Sequence, residues 1–470
     1  MRSRNDHPLI YPSRQALVRA LDVAQRRLLD AAVRVAEASD CPLWLVGGAV
    51  RDLALGQPLR DLDFATDGDP ASLVTALGRA HGAAVRLEPR FGTAHLTFDA
   101  DGSPTAEAAP RIAADFAALR TERYVRPGVL PTVRLGTTLE DDIARRDFTV
   151  NAMALLLTGS ALTDAASDES ERSRLVDPFD GFADLQARRL RVLHALSFVD
   201  DATRLWRAAR FAARFGLRPD RATAALIEDG ARWIHSISAR RLWNEFALVA
   251  AEARPGAVVR LLQRWGVLRA VHPTLDVGTE SARALARLPS CAPELLFALL
   301  AAPLDAGSRR DVGARLGVPS VVTRTAEDAA RLLAAVAELS TGAEGVAPDL
   351  LAALENTSAL ARTAALRLDP AGQRPLQRAL RRWEGTRSPL SAEELLEQGV
   401  PRGPRLSELL HQLRRERYLG TLRSAADARR YVYEAIAATV GKPSARRVNS
   451  RSATRFAVGA SVTPKGSGRP

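Results

Sequence analysis

The chain has 470 residues and a mass of 50.6 kDa, which excludes a miniature stapled scaffold and leaves room for about two to four compact units. Hydrophobic residues make up 46% and charged residues 26%, the balance of a globular protein and not of a largely disordered one. With 66 Lys+Arg against 54 Asp+Glu the formal charge is +12, which favours polyanionic partners such as nucleic acid without naming one.

In chain order, apolar residues recur at helical spacing from Arg14 to Ala38 and predict one amphipathic helix. A short apolar strand follows at Leu43 to Val46, then Gly47-Gly48, then a helical stretch from Ala49 to Leu55. Asp61 to Thr66 alternates polar and apolar residues as a strand does. Further strands are expected at Ala83 to Leu87, Thr93 to Phe98 and Arg111 to Leu119. A surface loop is expected over Asp101 to Pro110. The segment Glu122 to Leu135, with Pro127, Gly128 and Pro131, reads as a mobile loop. Asp147 and Asn151 stand at the start of an apolar stretch read as a helix, where capping and a site role are both open. From about Phe182 the chain turns into long Ala/Leu/Arg segments, broken near Gly216, Pro255, Pro273, Pro303, Pro319, Pro348, Pro370 and Pro389. Trp206, Trp233 and Trp243 fall at helical positions and read as core.

The final stretch, Gly441 to Pro470, carries seven basic and no acidic residues, so the rest of the chain holds 12 − 7 = +5. It reads as a basic, disordered tail. Cys41 and Cys291 form no CxxC pair, which argues against a zinc site or disulfide framework and for a reducing cytoplasm. No run of about eighteen apolar residues exists, so membrane and export readings drop out.

Two constellations carry chemistry. Asp61 and Asp63, two apart on a strand, project from one face while Leu62 and Phe64 turn to the core. Paired carboxylates repel unless a cation or proton intervenes, and hard oxygen donors select Mg²⁺; a strand-edge DxD facing solvent is the plain alternative. Gly47 and Gly48, between a strand and a helix, suit a triphosphate held by backbone N–H groups, with Arg51 one turn in; a simple tight connection is the alternative. Farther on, Asp201 and Arg204 are i,i+3 neighbours that offer an acceptor and donors at fixed separation, the elements of a base-reading edge, or else a solvated helix face.

The run LWLVGGAVRDLALGQPLRDLDFATD resembles the signature of the class II tRNA nucleotidyltransferase and bacterial poly(A) polymerase superfamily, within the polymerase-β-like nucleotidyltransferases. RRDFTVNAMAL, DPFDGFADLQARRLRVL and DDATRLWRAARFAARFGL resemble its later blocks in family order, and LSAEELLEQGVPRGPRLSELLHQLR resembles its carboxy-terminal helices more loosely. The resemblance implies an α+β protein: a nucleotidyltransferase head at 14–160 followed by an all-helical neck at 161–250 and a helical body and tail at 251–440. The basic tail at 441–470 closes the chain. It implies base selection by Asp201 and Arg204, nucleotide binding by Arg207, Arg210 and Arg146, and a third acidic residue at Asp115 acting as general base or metal ligand. It further implies that the segment 122–135 bears on the switch between nucleotides.

The expected activity is template-independent addition of CMP and AMP to the 3′ end of tRNA from CTP and ATP, with Mg²⁺ held by Asp61 and Asp63 and phosphates held by Gly48, Arg51 and Arg146. A poly(A) polymerase, or an enzyme adding only the terminal A or only the two Cs, shares every motif. A noncatalytic RNA-binding protein on the same scaffold is the rival of another class.

Overall fold

The computed structural model describes residues 9–59, 61–81, 83–99, 111–159, 174–339, 348–355, 357–369 and 373–440. The segments Asp101 to Pro110 and Gly441 to Pro470, read from sequence as loop and tail, lie outside the described residues. The chain divides into two compact units, Met1–Gln377 and Arg378–Pro470.

The strands are β1 (Leu43–Val46), β2 (Leu62–Thr66), β3 (Ala84–Glu88), β4 (Thr93–Asp99), β5 (Arg111–Ala118), β6 (Arg120–Arg123), β7 (Thr132–Leu135), β8 (Ala154–Leu156) and β9 (Leu175–Val176). Seven of them build one mixed sheet in the order β3-β4-β5-β2-β1-β8-β9. Only the β2/β5 neighbours within it run parallel, and their register sets Asp63 beside Asp115. Alternation in β2 sends Leu62 and Phe64 into the main core, where Phe64 stacks on Phe116 of β5 at 4.8 Å. A second, smaller core on the other face of the sheet takes Val46, Ala65, Leu119, Ile143 and Ala154.

Four local expectations need correction. The helix read over Arg14 to Ala38 is two helices, Arg14–Ala20 and Val23–Ala38, because Leu21 is extended and Asp22 forms a reciprocal capping box with Gln25. Leu17, Leu21, Ala24 and Leu28 are all buried across the break, so the apolar period runs straight through it. The stretch after Asp147 is a 3₁₀ turn, Thr149–Asn151, and then β8, which takes the open edge of β1. An apolar run that short carries no period that separates helix from strand. Glu122 to Leu135 is not an open loop, since β6 and β7 pair as an antiparallel ribbon. Finally, Pro70–His81 is a helix that the sequence reading omitted.

Beyond the sheet the first unit is helical, and its punctuation follows elementary chemistry. Gly216 and Gly317 take left-handed C-cap conformations, while Pro255 and Pro293 open helices where no amide donor is needed. Trp206 is fully buried, and Trp233 and Trp243 pack against the same core. The second unit has its own apolar cluster, which includes Leu390, Leu395, Leu409, Leu413 and Val432. Cys41 and Cys291 are free thiols, and among the described residues no helix is long and apolar enough to cross a membrane.

Candidate active site

The site begins where β1 runs out. Gly47 has φ +67°, where an L side chain is strained, and a Cβ there would lie 2.5 Å from Arg146 Nη1. Its N–H donates to Met153 O at 3.1 Å, so the turn is tied to the residue before β8. The short helix Gly48–Ala54 follows and carries Arg51. Arg51 is 5% exposed: it donates to Asp52 Oδ1 and Asn151 Oδ1 and stacks over Phe211 and Phe215, 5.1 and 4.6 Å from the ring centroids. Its guanidinium is thus committed to these partners while it lines the cavities beside the glycine turn. Arg146 pairs with Asp142 at 2.9 Å and keeps a buried Nε with no hydrogen-bond partner.

Across the sheet three polar side chains share one row, because register opposes Asp63 to Asp115 and Asp115 to His95. Asp115 is exposed and Oδ1 lies 2.6 Å from His95 Nδ1. Asp61 stands exposed just ahead of β2. Asp63 is half-buried, and its carboxyl is pushed up to about 6 by burial and by the charges of Asp115 and Asp61, against the pull of Arg146 and Arg51. Among the described residues no three His, Cys, Asp or Glu side chains converge as a preformed metal cluster. The donor chemistry still fits a divalent cation. Burial, together with the negative charges of Asp115 and Asp61, disfavours the ionised form of Asp63, a cost that a hard cation bound by oxygen atoms relieves.

A cavity of about 520 Å³ reaches from this end to the helical part. Gly47, Gly48, Asp63 and Arg146 line one side, and Asp201, Arg204 and Arg207 line the other. A second cavity, of about 680 Å³, is lined by Asp61, Asp63 and Gly48, so Asp63 faces both.

Asp201 is not on the helix Thr203–Phe215; it sits in extended conformation between it and the preceding turn Ser197–Asp200. The i,i+3 relation to Arg204 is nevertheless kept by a bond from Arg204 N to Asp201 O at 3.1 Å. Arg204 donates to Ser197 Oγ at 2.7 Å and Arg145 O at 3.0 Å, which fixes the plane of its guanidinium. Arg207 is committed to Asp147 Oδ2, with Nε at 2.7 Å and Nη2 at 2.6 Å. Arg210 stands apart from the others: it is buried, bonds Glu252 and Glu245, and does not line the cavity.

The cavity also recruits residues that sequence reasoning passed over. Glu122 and Tyr124 come from the ribbon, Arg145 joins them through a 2.7 Å bond to Glu122, and Arg241 and Glu245 come from the helix Ala239–Ala250. Burial raises the Tyr124 hydroxyl to about 12, so it stays a neutral donor. Burial likewise raises the Glu245 carboxyl, with Arg207 and Arg210 opposing. Arg145 is the direct neighbour of Arg146 in the RRD run, a local signal that marks it. Nothing in local sequence separates Arg241 from the other arginines of its helix.

Residues 43–191 match the family of the poly A polymerase head domain. The A-adding tRNA nucleotidyltransferase of Geobacter sulfurreducens is 34% identical over 254 residues, 54% of this chain and 26% of that protein. The CC-adding tRNA nucleotidyltransferase of Deinococcus radiodurans is 40% identical over 227 residues, 48% of this chain and 54% of that protein. The chain thus spans at most about half the length of these relatives. A solved CCA-adding enzyme in an apo form shares the fold with a TM-score of 0.70 at 22% identity, covering 90% of this chain and 98% of that one. The expected α+β class, a mixed sheet in front and helices behind, stands. Over residues 43–191 the chain is therefore similar to the poly A polymerase head domain.

Proposed function

We propose that this chain is an RNA nucleotidyltransferase that adds CMP and AMP from CTP and ATP to the 3′ end of tRNA. One observation carries the reading: a single cavity joins the Asp63 carboxylate and the glycine turn to the Asp201–Arg204 pair. In this reading one wall of that volume faces the phosphates and the other faces the base.

On the first wall the Gly47-Gly48 turn lets a phosphate approach the backbone, and the Arg146 guanidinium, whose Nη1 lies beside Gly47, adds a charged donor. A divalent cation held by Asp61 and Asp63, Mg²⁺ in this reading, would neutralise charge on the phosphates. Asp115, held by His95, is placed to accept the proton of the RNA 3′-hydroxyl as its oxygen attacks the α-phosphorus and pyrophosphate leaves. The second cavity, on the far side of Asp63, suits the RNA end. On the second wall, the Asp201 carboxylate accepts from an exocyclic amino group and Arg204 donates to the ring edge, a pattern met by cytosine and adenine. Arg207 approaches the same nucleotide while anchored to Asp147, and Arg210 supports this wall from outside the cavity.

A second reading is supported by the relatives, one named A-adding and the other CC-adding: this chain would then add only part of the sequence. One experiment separates the readings. Purified protein is given tRNA lacking its 3′ CCA, with each nucleotide alone and then CTP and ATP together. The expected product is a CCA end formed only with both nucleotides, abolished by EDTA and restored by Mg²⁺. Arrest after the Cs, or use of ATP alone on a CC-ended tRNA, identifies a partial enzyme. A long A ladder identifies a poly(A) polymerase, and no turnover a noncatalytic binder.

A further inference from the structure

Arg241 stands where three elements meet. It lies on the helix Ala239–Ala250, and its Nη2 donates to Asp201 Oδ2 at 2.6 Å and lies 3.4 Å from Thr203 Oγ1. Its Nη1 reaches Gly128 O at 3.4 Å, in the turn of the β6–β7 ribbon. That turn is itself seated against the helical part, because Gly128 N reaches Asp200 O and a Cβ on Gly128 would lie 2.4 Å from Ser236 O. The other carboxylate oxygen, Asp201 Oδ1, accepts from Thr203 N at 3.0 Å and Thr203 Oγ1 at 2.7 Å. Each oxygen of Asp201 thus has a donor on a different side, which holds the carboxylate plane still. Thr203 belongs to the same turn as Asp201, whereas Arg241 arrives from another helix and is the only charged donor within bonding distance of it among the described residues.

We infer that Arg241 is a positioning residue for nucleotide choice: with Nη1 on Gly128 O, the bond from its Nη2 to Asp201 Oδ2 fixes the direction of the acceptor that Asp201 presents to the incoming base. This rests on the reading of Asp201 and Arg204 as the base-facing pair. A carboxylate has acceptor sites only, so once held in place it meets the amino donors of cytosine and adenine and opposes the carbonyl oxygens that uracil and guanine carry at the same edge. Released from Arg241, the carboxylate rotates about its own side chain, the opposition weakens, and the Arg204 donors accept the wrong bases. Arg241 touches no substrate in this scheme and acts through Asp201.

The test measures kcat and KM for CTP, ATP, GTP and UTP on tRNA lacking its 3′ end, using the full chain and the variants Arg241→Gln, Arg241→Lys and Asp201→Asn. Arg241→Gln is expected to lower the preference for CTP over UTP at least about tenfold, mostly through KM for the two nucleotides moving toward each other. Arg241→Lys keeps the charge but has no second nitrogen for Gly128 O, and is expected to fall between. A merely structural Arg241 would slow all four nucleotides alike, and unchanged preference in either folded variant overturns the inference. If Asp201→Asn relaxes choice and the Arg241 variants do not, the inference alone fails. If Asp201→Asn leaves choice unchanged, or the unmodified chain incorporates nothing, the functional reading fails with it.

Discussion

Asp147 decides where Arg207 can go. Its Oδ1 accepts from Asn151 Nδ2 and Phe148 N, each at 2.9 Å, and its Oδ2 takes Arg207. Burial alone would raise this carboxyl, but Arg207 and the Asn151 amide outweigh it and hold it below the usual carboxylate range. A folded pKa below the unfolded one contributes stability that is present at neutral pH and lost as pH falls through the carboxylate range. Asp147→Asn should therefore cost roughly 2 kcal/mol at pH 7, with Arg207 left partly exposed, and should flatten the acid branch of the stability curve. Urea midpoints from pH 7 to pH 3 check this, and parallel curves for the two proteins would contradict it. Asp147 caps no helix, because the 3₁₀ turn that follows has Phe148 at its N-cap and no side-chain cap bond; it anchors an arginine instead. That pairing crosses sixty positions of chain, beyond any local signal.

The helix Thr203–Phe215 shows how one element serves two tasks. Arg204 and Arg207 line the cavity, whereas Arg210 and Arg214 turn to Glu252. In sequence Arg204, Arg207 and Arg210 are one stripe at spacing three, and nothing in that spacing divides them. The division comes from the packing of this helix against Pro255–Arg264 and Ala239–Ala250, which carries Glu252 in behind it. Glu252 is 6% and Arg210 8% exposed, so removing one partner leaves buried charge behind. Arg210→Met should cost about 3 kcal/mol in a urea titration while the KM for CTP changes less than about twofold. A large rise in KM at unchanged stability would return Arg210 to direct nucleotide contact.

At the scale of the whole molecule the proposed RNA binding has charge as its chief determinant. The net charge of +12 includes seven positive residues in Gly441 to Pro470, so binding to tRNA should fall steeply with salt, by about a thousandfold between 50 and 200 mM if six or more phosphates are neutralised. Removal of residues 441–470 should weaken binding evenly across tRNA sequences and shrink the slope of log affinity against log salt. An unchanged slope would place the phosphate contacts on the arginines of the helical part alone.

Local chemistry, read residue by residue, already located the glycine turn, the β2 alternation that turns Leu62 and Phe64 inward, and the helix ends at Gly216 and Pro255. Each depends on neighbours within a few positions: a positive φ, a two-residue period, a missing amide. The head signature could be recognised for the same reason, since its glycines and aspartates lie in one short run. What only the tertiary structure decided are the meetings across long stretches of chain. Register set Asp63 beside Asp115 and Asp115 beside His95, strand pairing turned an apolar run into β8, and helix packing carried Arg241 to Asp201 while withdrawing Arg210 to Glu252. An arginine has the same local sequence signature whether its fork ends on a phosphate, a base or a buried glutamate. The partner that distinguishes these cases is supplied by the fold.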